Sequence, residues 1–445
     1  MRRIFFFFLG LNLLIAHSEK AIITIYKDGT ALVKQPVSWR NVSKGNSYIT
    51  FKELPNGIHK DTPFLNLNGI QILTQRFNSK VFSSINYFLD RKGSIVNLKS
   101  KTERAITGSL LEISNESVTI QHKGGVRTFI YDNIEYLESK DKIENPILRP
   151  FLAWDIKTSN SGEVKGELVY KSANFSWDTV YRLVMNGQDN GELIAEAVIS
   201  NGSDLDFKDT QIQLVEGILN KPKVSRFRPD QSFKMAARAE SKPAMNQAEL
   251  GDYHIYTLNS THDLKAKENI TVRMYGPLNV GYVKTYVFEN TERRQKEEPL
   301  KVELSIKNTE SNGLGIPLPA GKVEIYTYSN TGGLEYLGTD QIRQVPKGQS
   351  STLSSGYAFD IIGKRKVLNY DRQRKSEEAV IEVQVTNTRS ELVQVRIVEH
   401  INGDWVVKNE SHNYQKKDAS TIHFTIILDP GKTKYVTYTY RKEWK

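Results

Sequence analysis

Apolar and polar residues alternate with a period of two along most of this chain. In residues 301–307 every second side chain is apolar, and the same alternation returns in 381–386 and 422–428. Successive side chains of a β-strand point to opposite faces of the sheet, so each segment can bury one face. Short strands of this kind, separated by turn residues, are typical of sandwiches and barrels. The sequence therefore predicts an all-β fold of tandem, immunoglobulin-like β-sandwich domains.

Turn residues and changes in composition divide the chain into five predicted regions. They are a signal peptide at 1–18, an N-terminal β domain at 19–92, a small SH3-like β-barrel at 93–141, a central β-sandwich at 142–290 and a C-terminal immunoglobulin-like β-sandwich at 291–445. The central region contains a stretch without periodicity, 221–247. This stretch predicts a flexible loop, because strand-like sequence resumes at Tyr253.

Two local features are specific enough to predict in detail. Ser84–Leu89 has helical character, and Gly93 closes this segment. Residues 381–386 and 393–397 alternate on either side of the turn-forming Asn387–Ser390, which is the signal of a β-hairpin. We therefore expect one short helix before the small barrel and a hairpin within the C-terminal sandwich.

The first eighteen residues have the pattern of an export signal. Met1–Arg3 carries two arginines, Ile4–Ile15 is an apolar run, and small residues stand at Ala16 and Ser18. A membrane-spanning helix is the alternative, but it needs about 20 apolar residues, and this run is shorter and interrupted by polar positions. The sequence predicts cleavage before Glu19 and no transmembrane segment afterwards.

The chain contains no cysteine. Disulfides, thiol nucleophiles and thiolate metal sites are therefore excluded, and an exported chain without disulfides fits a bacterial envelope better than an animal secretory route. There are 61 Lys and Arg residues against 51 Asp and Glu, which gives a net charge of +10. This charge suits anionic polysaccharide or lipid head groups, although it is also compatible with an ordinary solvated surface. Because no dense basic block is interleaved with aromatics, a nucleic-acid partner is not predicted.

Sequence motifs indicate no catalytic or cofactor site. We find no G-x-S-x-G nucleophile turn, no phosphate-binding loop, no dinucleotide fingerprint and no paired histidines at metal-ligand spacing. We therefore predict no catalytic residue, no metal and no cofactor. Exposed aromatics can stack on sugar rings, which makes Trp177 with Tyr181, and Trp405 with Asp404, the candidate binding residues. The alternative for both tryptophans is a position in the sandwich core.

Several motifs resemble a family of bacterial exported proteins that share a domain of unknown function with the mucoidy-inhibitor proteins. The segments that carry the resemblance are ELVYKSANFSWDTVYRLVM (167–185), IPLPAGKVEIYTY (316–328), EYLGTDQIRQVPKG (335–348), SGYAFDIIGKR (355–365) and VQVTNTRSELVQVRIVEHINGDW (383–405), with GTALVKQPVSW (29–39) and ELPNGIHKDTPFLN (53–66) upstream. The resemblance implies an exported, multi-domain, all-β protein and no catalytic residues. The coiled-coil region of the mucoidy-inhibitor members has no counterpart here, so a role in exopolysaccharide control is not carried over.

These observations together predict a non-enzymatic protein of the bacterial cell envelope, located in the periplasm or at the cell surface. It would act as a binding or scaffold module whose partner is an envelope polysaccharide or another envelope protein. The alternative is a hydrolase acting on envelope or extracellular polysaccharide, since paired carboxylates converge in space and not in sequence. A membrane β-barrel is a lesser alternative, because it needs strands of about ten residues with a continuous lipid-facing row.

Expression of the full chain in a bacterium tests the export prediction. We expect periplasmic or extracellular protein whose N-terminal residue is Glu19, because Ala16 and Ser18 fit the signal peptidase. Intact-mass measurement after fractionation identifies the terminus. Recovery of the uncleaved chain in the cytoplasm would contradict the prediction.

Overall fold

A computed structural model describes residues 20–144, 146–217, 245–250 and 253–444. Strands make up most of these residues, which confirms the predicted all-β class. The predicted signal peptide and positions 221–244 of the predicted loop lie outside the described residues. The assignment of positions 245–247 to that loop is wrong, because these residues begin a strand that pairs with the segment after Tyr253.

The elements follow one another in a single order along the chain. Up to residue 201 they are β1 (Ile22–Tyr26), β2 (Thr30–Val42), β3 (Gly45–Phe51), β4 (Phe64–Leu67), β5 (Gln71–Asn78), α1 (Ser84–Leu89), β6 (Ile95–Ser100), β7 (Ile106–Ile113), β8 (Ser117–His122), β9 (Gly125–Ile130), a 3-10 turn (Tyr131–Asn133), β10 (Ile134–Glu138), β11 (Phe151–Thr158), β12 (Gly162–Ala173), β13 (Phe175–Met185) and β14 (Asn190–Asn201). The remainder are β15 (Phe207–Glu216), β16 (Met245–Leu250), β17 (Tyr253–Leu264), β18 (Glu268–Thr291), β19 (Lys296–Lys307), a 3-10 turn (Glu310–Asn312), β20 (Gly321–Tyr328), β21 (Leu334–Ile342), β22 (Ser350–Arg372), β23 (Ser376–Asn387), β24 (Val393–His400), β25 (Asp404–Lys408), β26 (Tyr414–Lys416), β27 (Thr421–Leu428) and β28 (Thr433–Glu443).

The chain forms two compact units. The first unit comprises the described residues up to Ser176 together with Ser200–Leu214 and Ser260–Glu268. It contains a sheet in which β15, β1, β2, β12 and β4 are neighbours in that order, and a three-stranded sheet with the order β3-β11-β5. Trp154 on β11 is fully buried, and its ring centre lies 5.9 Å from that of Trp39 on β2 in edge-to-face geometry. This aromatic pair joins the apolar faces of the two sheets.

A five-stranded antiparallel sheet with the order β10-β6-β7-β8-β9 also belongs to the first unit. Helix α1 precedes it at the predicted positions, and Gly93 follows with a positive φ of 90°. The helix begins where the Oγ of Ser83 accepts a hydrogen bond from the backbone N–H of Asn86, at 3.2 Å. Its Phe88 joins the core of the sheet, whose other buried members are Val96, Leu98, Leu110, Ile113, Val118, Ile120 and Phe129.

The expected closure of these strands into a small barrel is wrong. Strands β9 and β10 are the two edges of the sheet, and within the described residues they are not paired with one another. The 3-10 turn Tyr131–Asn133 carries the chain from one edge to the other. Because Phe88 of α1 completes the apolar core, the sheet buries that face without closing on itself. The predicted boundaries at 92, 141 and 290 stay predictions.

The second unit comprises the described residues of Trp177–Ile199, Val215–Asn259 and Asn269–Lys445. Its largest sheet has the order β21-β20-β13-β14-β18-β19-β22-β23-β28-β25, and β24 pairs with both β18 and β27. The rings of Phe424 on β27 and Tyr438 on β28 lie 5.3 Å apart, although these two strands are not paired. The C-terminal part of this unit is therefore a sandwich, with β22, β23 and β28 on one side of the core and β24 and β27 on the other.

The hairpin predicted across Asn387–Ser390 is wrong. Strand β23 pairs with β22 and β28, whereas β24 pairs with β18 and β27, so the segment between them crosses the core from one sheet to the other. The buried side chain of Asn387 fixes this crossing, because its amide donates to the backbone carbonyls of Glu391 at 2.9 Å and Asp429 at 3.1 Å. Two facing apolar rows produce the same sequence pattern whether their strands pair or pack face to face.

An ion pair lies inside the sandwich core. Arg365 on β22 and Glu399 on β24 are both buried, and an Nη atom of the arginine lies 2.9 Å from the carboxylate. The hydroxyl of Tyr438 on β28 donates to the same carboxylate at 2.7 Å, and Arg365 also donates to the backbone carbonyl of Arg294 at 2.7 Å. Burial raises the pKa of Glu399, while Arg365 acts in the opposite direction. The pair therefore joins the two sheets through hydrogen bonds.

Replacing one partner of this pair tests how much the sandwich depends on it. Glu399→Gln leaves the Arg365 guanidinium buried without a counter-charge, so we expect a loss of about 3–5 kcal/mol in the free energy of unfolding. The double substitution Arg365→Met with Glu399→Leu should recover most of that loss. Urea denaturation, monitored by tryptophan fluorescence, measures the free energy of unfolding of both variants.

The neighbouring residue on the same strand provides the control. Lys364 pairs with Glu297 in solvent, so Lys364→Met should change the free energy of unfolding by less than about 1 kcal/mol. If Glu399→Gln and Lys364→Met lowered the free energy of unfolding equally, the assigned role of the buried pair would be contradicted.

Candidate functional site

A groove lies at one end of the C-terminal sandwich, where β28 ends between β23 and β25. The strand register places Lys442 opposite both Glu377 and Trp405, and it places Glu443 opposite Asp404. We call this cavity of about 410 Å³ the end groove. Its lining includes Glu292, Arg293, Arg372, Glu377, Asn402, Asp404, Lys442, Glu443 and Trp444.

The floor of the end groove is an ion cluster around Lys442. The Lys442 ammonium contacts the carboxylate of Glu292 and lies 3.4 Å from that of Glu377. Glu292 also accepts the backbone N–H of Asn402 at 3.0 Å, and Glu377 accepts the hydroxyl of Tyr370 at 3.0 Å. Burial alone would raise the pKa of Glu292, but the bonds from Lys442 and Asn402 outweigh it, so this pKa lies below its usual value. Glu292 is therefore ionised at neutral pH.

One wall of the end groove is aromatic. Trp444 follows the last residue of β28, and its backbone N–H donates to the carbonyl of Lys375 at 3.0 Å. Its indole N–H donates to the carbonyl of Arg374 at 3.1 Å, which fixes the orientation of the ring. Because 37% of the residue stays exposed, Trp444 is a fixed aromatic surface in contact with solvent.

The guanidinium groups of two arginines beside the aromatic wall lie against aromatic rings. The guanidinium carbon of Arg372 lies 5.8 Å from the ring centre of Trp444, and that of Arg293 lies 4.9 Å from Tyr370. Neither arginine forms an ion pair with any residue of the described ranges, and the exposed carboxylate of Asp404 has no hydrogen-bond partner there. Arg293 also donates to the Tyr370 hydroxyl at 2.9 Å, so the Arg372 guanidinium and the Asp404 carboxylate are the groups left free to bond with a ligand.

The four sequence-predicted candidates divide into one groove residue and three core residues. Asp404 lines the end groove. Trp405 lies next to it but is buried, while Trp177 and Tyr181 are 1% and 0% exposed. All three buried rings donate their N–H or O–H to backbone carbonyls. They therefore occupy the core position that was the alternative for the tryptophans, and none presents a ring face to solvent.

Sequence reasoning missed the other residues of the end groove. Glu292, Lys442 and Trp444 are brought together from positions up to 152 residues apart. One signal was available: Trp444 falls after the end of the last alternating segment, at Tyr440, whereas Trp177 and Trp405 stand within or next to alternating rows. A tryptophan outside the alternation has no row of core neighbours to join.

Metal-ligand clusters and membrane-spanning helices are absent from the described part of the chain. In it, no cluster of three or more His, Asp or Glu side chains is arranged to hold a metal ion. No helix in the same ranges is long and apolar enough to cross a membrane. Comparison with protein-family models finds no family that matches the chain, and comparison with curated proteins finds no significant match. The resemblance drawn from the sequence motifs stays a prediction.

The lowered pKa of Glu292 makes a pH-dependent contribution to stability. A carboxylate whose pKa is lower in the folded state stabilises that state above its unfolded pKa, about 4.5, and loses the effect as pH falls through the folded value. We expect Glu292→Gln to destabilise the protein at pH 7, and its difference from wild type to shrink progressively as the pH falls below 4.5. Urea denaturation at several pH values measures the difference.

The matched control is Glu410→Gln. Glu410 is exposed and makes no ion pair in the described ranges, so its substitution should have little effect at any pH. A Glu292→Gln effect that is the same at pH 7 and pH 3.5 would contradict the ionic role of the carboxylate.

Proposed function

We propose that this protein is a non-enzymatic binding module of the bacterial envelope that holds a glycan in the end groove. The observation that carries the proposal is the exposed, hydrogen-bonded ring of Trp444 next to the unpaired polar groups of Asp404 and Arg372. Sugar rings have apolar faces and polar edges, so they pair with a flat aromatic surface that is flanked by donors and acceptors.

The charges of the end groove favour a ligand of low net charge. Acidic and basic side chains are nearly balanced, with Glu292, Glu377, Asp404 and Glu443 against Arg293, Arg372 and Lys442. Because Lys442 is bonded to two of the acids, little unbalanced charge faces the cavity. Hydroxyl groups, which both donate and accept, can bond with Asp404 and with an arginine at the same time.

The protonation state of the carboxyl groups in the groove favours binding over hydrolysis. A glycoside hydrolase needs one carboxyl group that stays protonated near neutral pH as the general acid. The two most enclosed acids of the groove, Glu292 and Glu377, both contact the Lys442 ammonium, and the pKa of Glu292 is lowered. The hydrolase alternative is therefore the less favoured one.

The envelope location in this proposal rests on the sequence. The signal-like start, the absence of cysteine and the family resemblance all favour export into a bacterial periplasm or to the cell surface. An envelope polysaccharide is the ligand class that would be met there, and an envelope protein is the alternative partner.

Binding to separated envelope fractions tests the proposal. The chain from Glu19 onward is cosedimented with peptidoglycan, outer-membrane vesicles and extracellular polysaccharide from a Gram-negative bacterium, at low and high salt. We expect saturable binding to one glycan fraction that persists in high salt, because stacking and hydrogen bonds are not screened as long-range charge attraction is. Trp444→Ala should weaken this binding about tenfold, which corresponds to the loss of one aromatic stacking contact.

Phe359→Ala is the matched control, because Phe359 is an exposed aromatic residue of the same unit outside the groove. Its substitution should leave the affinity unchanged. Equal binding by Trp444→Ala and wild type would overturn the groove assignment, and loss of all binding in high salt would reduce the interaction to non-specific electrostatics. Release of new reducing ends from the bound polysaccharide would favour the hydrolase.

A further inference from the structure

Seven asparagines in this chain are followed directly by glycine. They are Asn56, Asn68, Asn186, Asn190, Asn201, Asn312 and Asn402. Such a pair can lose ammonia from the asparagine side chain without an enzyme, because glycine has no Cβ to hinder attack of its backbone nitrogen on the side-chain amide. The reaction needs a free amide and a peptide that can rotate. The folded structure therefore decides which of the seven pairs can react.

Asn312 is held in an unreactive arrangement. Its side-chain amide donates to the carbonyls of Gly281 and Lys307, both at 2.9 Å, and its side-chain oxygen accepts the Gly281 N–H at 2.9 Å. The next residue, Gly313, donates its N–H to the carbonyl of Glu310 at 3.0 Å and has no room for a Cβ beside a neighbouring backbone oxygen. Neither the amide nor the attacking nitrogen is free.

Asn201 is held in the same way. It is fully buried, and its side-chain amide donates to the carbonyls of Leu205 at 2.9 Å and Leu264 at 3.0 Å. The N–H of Gly202 donates to the carbonyl of Asn174 at 2.7 Å. The segments around Asn201 must therefore open locally before this pair can react.

Asn402 lies in the opposite environment. It is an exposed residue between β24 and β25, and its side chain makes no hydrogen bond with any described residue. The N–H of Gly403 is also without a partner in the described ranges, and no residue beyond its chain neighbours lies within 4 Å of the position that a Cβ would take. The backbone N–H of Asn402 donates to Glu292 at 3.0 Å, but this bond does not involve the reacting atoms.

The packing of the glycine sorts the remaining pairs. The glycines that follow Asn68 and Asn186 have open surroundings, whereas backbone oxygens lie 3.2 and 2.5 Å from the Cβ position of the glycines that follow Asn56 and Asn190. The same criterion therefore adds the first two asparagines to the reactive set. Within that set, Asn402 is the residue that lines the end groove.

We propose that Asn402 is a site of spontaneous deamidation, which adds a carboxylate to the end groove. The Gly403 nitrogen loses its proton and bonds to the side-chain carbonyl carbon of Asn402. The bond from that carbon to the amide nitrogen breaks, and the amide nitrogen leaves as ammonia with the proton that the glycine lost. Water then opens the five-membered imide at either carbonyl, which yields aspartate or isoaspartate. No oxidant or reductant takes part.

The modification changes the charge of the end groove. Its lining has four acidic and three basic side chains, so each conversion makes the lining more negative by one charge. An anionic ligand is then repelled more strongly, whereas an uncharged ligand is not. The isoaspartate product also lengthens the backbone between β24 and β25 by one carbon. The consequence for ligand choice rests on the proposed function, but the modification itself does not.

Site-resolved mass spectrometry of the chain from Glu19, kept folded at pH 8 and physiological temperature, tests the proposal. We expect the peptide that contains Asn402 to gain about one mass unit and to separate into aspartate and isoaspartate forms. This conversion should be at least about tenfold faster than at Asn201 or Asn312, because those pairs must first open locally. Equal rates at Asn402 and Asn312 in the folded protein would overturn the proposal.

The same chain unfolded in urea provides the control. All seven pairs should then react at similar rates, because the bonds and packing that protect Asn201 and Asn312 are lost. A difference between Asn402 and Asn312 that persists in urea would assign the effect to local sequence and overturn its structural basis. The variant Asn402→Gln keeps the amide but disfavours the ring closure. Its peptide should stay unmodified while Asn68 still converts, and an equal mass gain at position 402 would contradict the mechanism.

Discussion

The buried ion pair between Arg365 and Glu399 is the interaction on which the C-terminal sandwich and its groove depend. These residues lie on opposite sheets, and the hydroxyl of Tyr438 completes the bond network between them. The carbonyl of the next residue, His400, accepts the backbone N–H of Glu292 at 3.0 Å. A fixed position for Glu399 therefore fixes the start of the turn that forms one side of the end groove. Since either charge alone would be costly to bury, packings of the two sheets that separate Arg365 from Glu399 are disfavoured.

In the proposed function, the end groove holds a ligand and does not transform it. The carboxylates of Glu292 and Glu377 both bond with Lys442, which holds the cluster in one arrangement. The groups left without partners, at Asp404 and Arg372, lie beside a tryptophan ring that two backbone carbonyls hold in place. A rigid aromatic surface loses little conformational entropy when a ligand binds, so the site is organised before binding occurs.

The fold class and one helix could be predicted from the sequence, but the pairing of the strands and most of the site could not. Alternation with a period of two identified the all-β class, and helix Ser84–Leu89 lies where the pattern indicated. Strand pairing was harder to predict. The apolar rows of two strands such as β23 and β24 have the same sequence pattern whether the strands share a sheet or pack across a core. Arg365 reads as a solvent-exposed charge in its basic surroundings, and nothing local reveals Glu399 as its partner. The end groove depends on contacts between residues far apart in the chain, which alternation does not encode.

Hydrogen–deuterium exchange on the chain from Glu19, with and without the envelope fraction that retains it in high salt, tests the glycan assignment most directly. We predict slower exchange in the presence of that fraction at the backbone amides of 402–404 and 442–444, because these segments border the end groove. Exchange elsewhere in the second unit should stay unchanged. Protection confined to other surfaces, or none in a sample shown to be bound, would contradict the assignment of the groove as the glycan site.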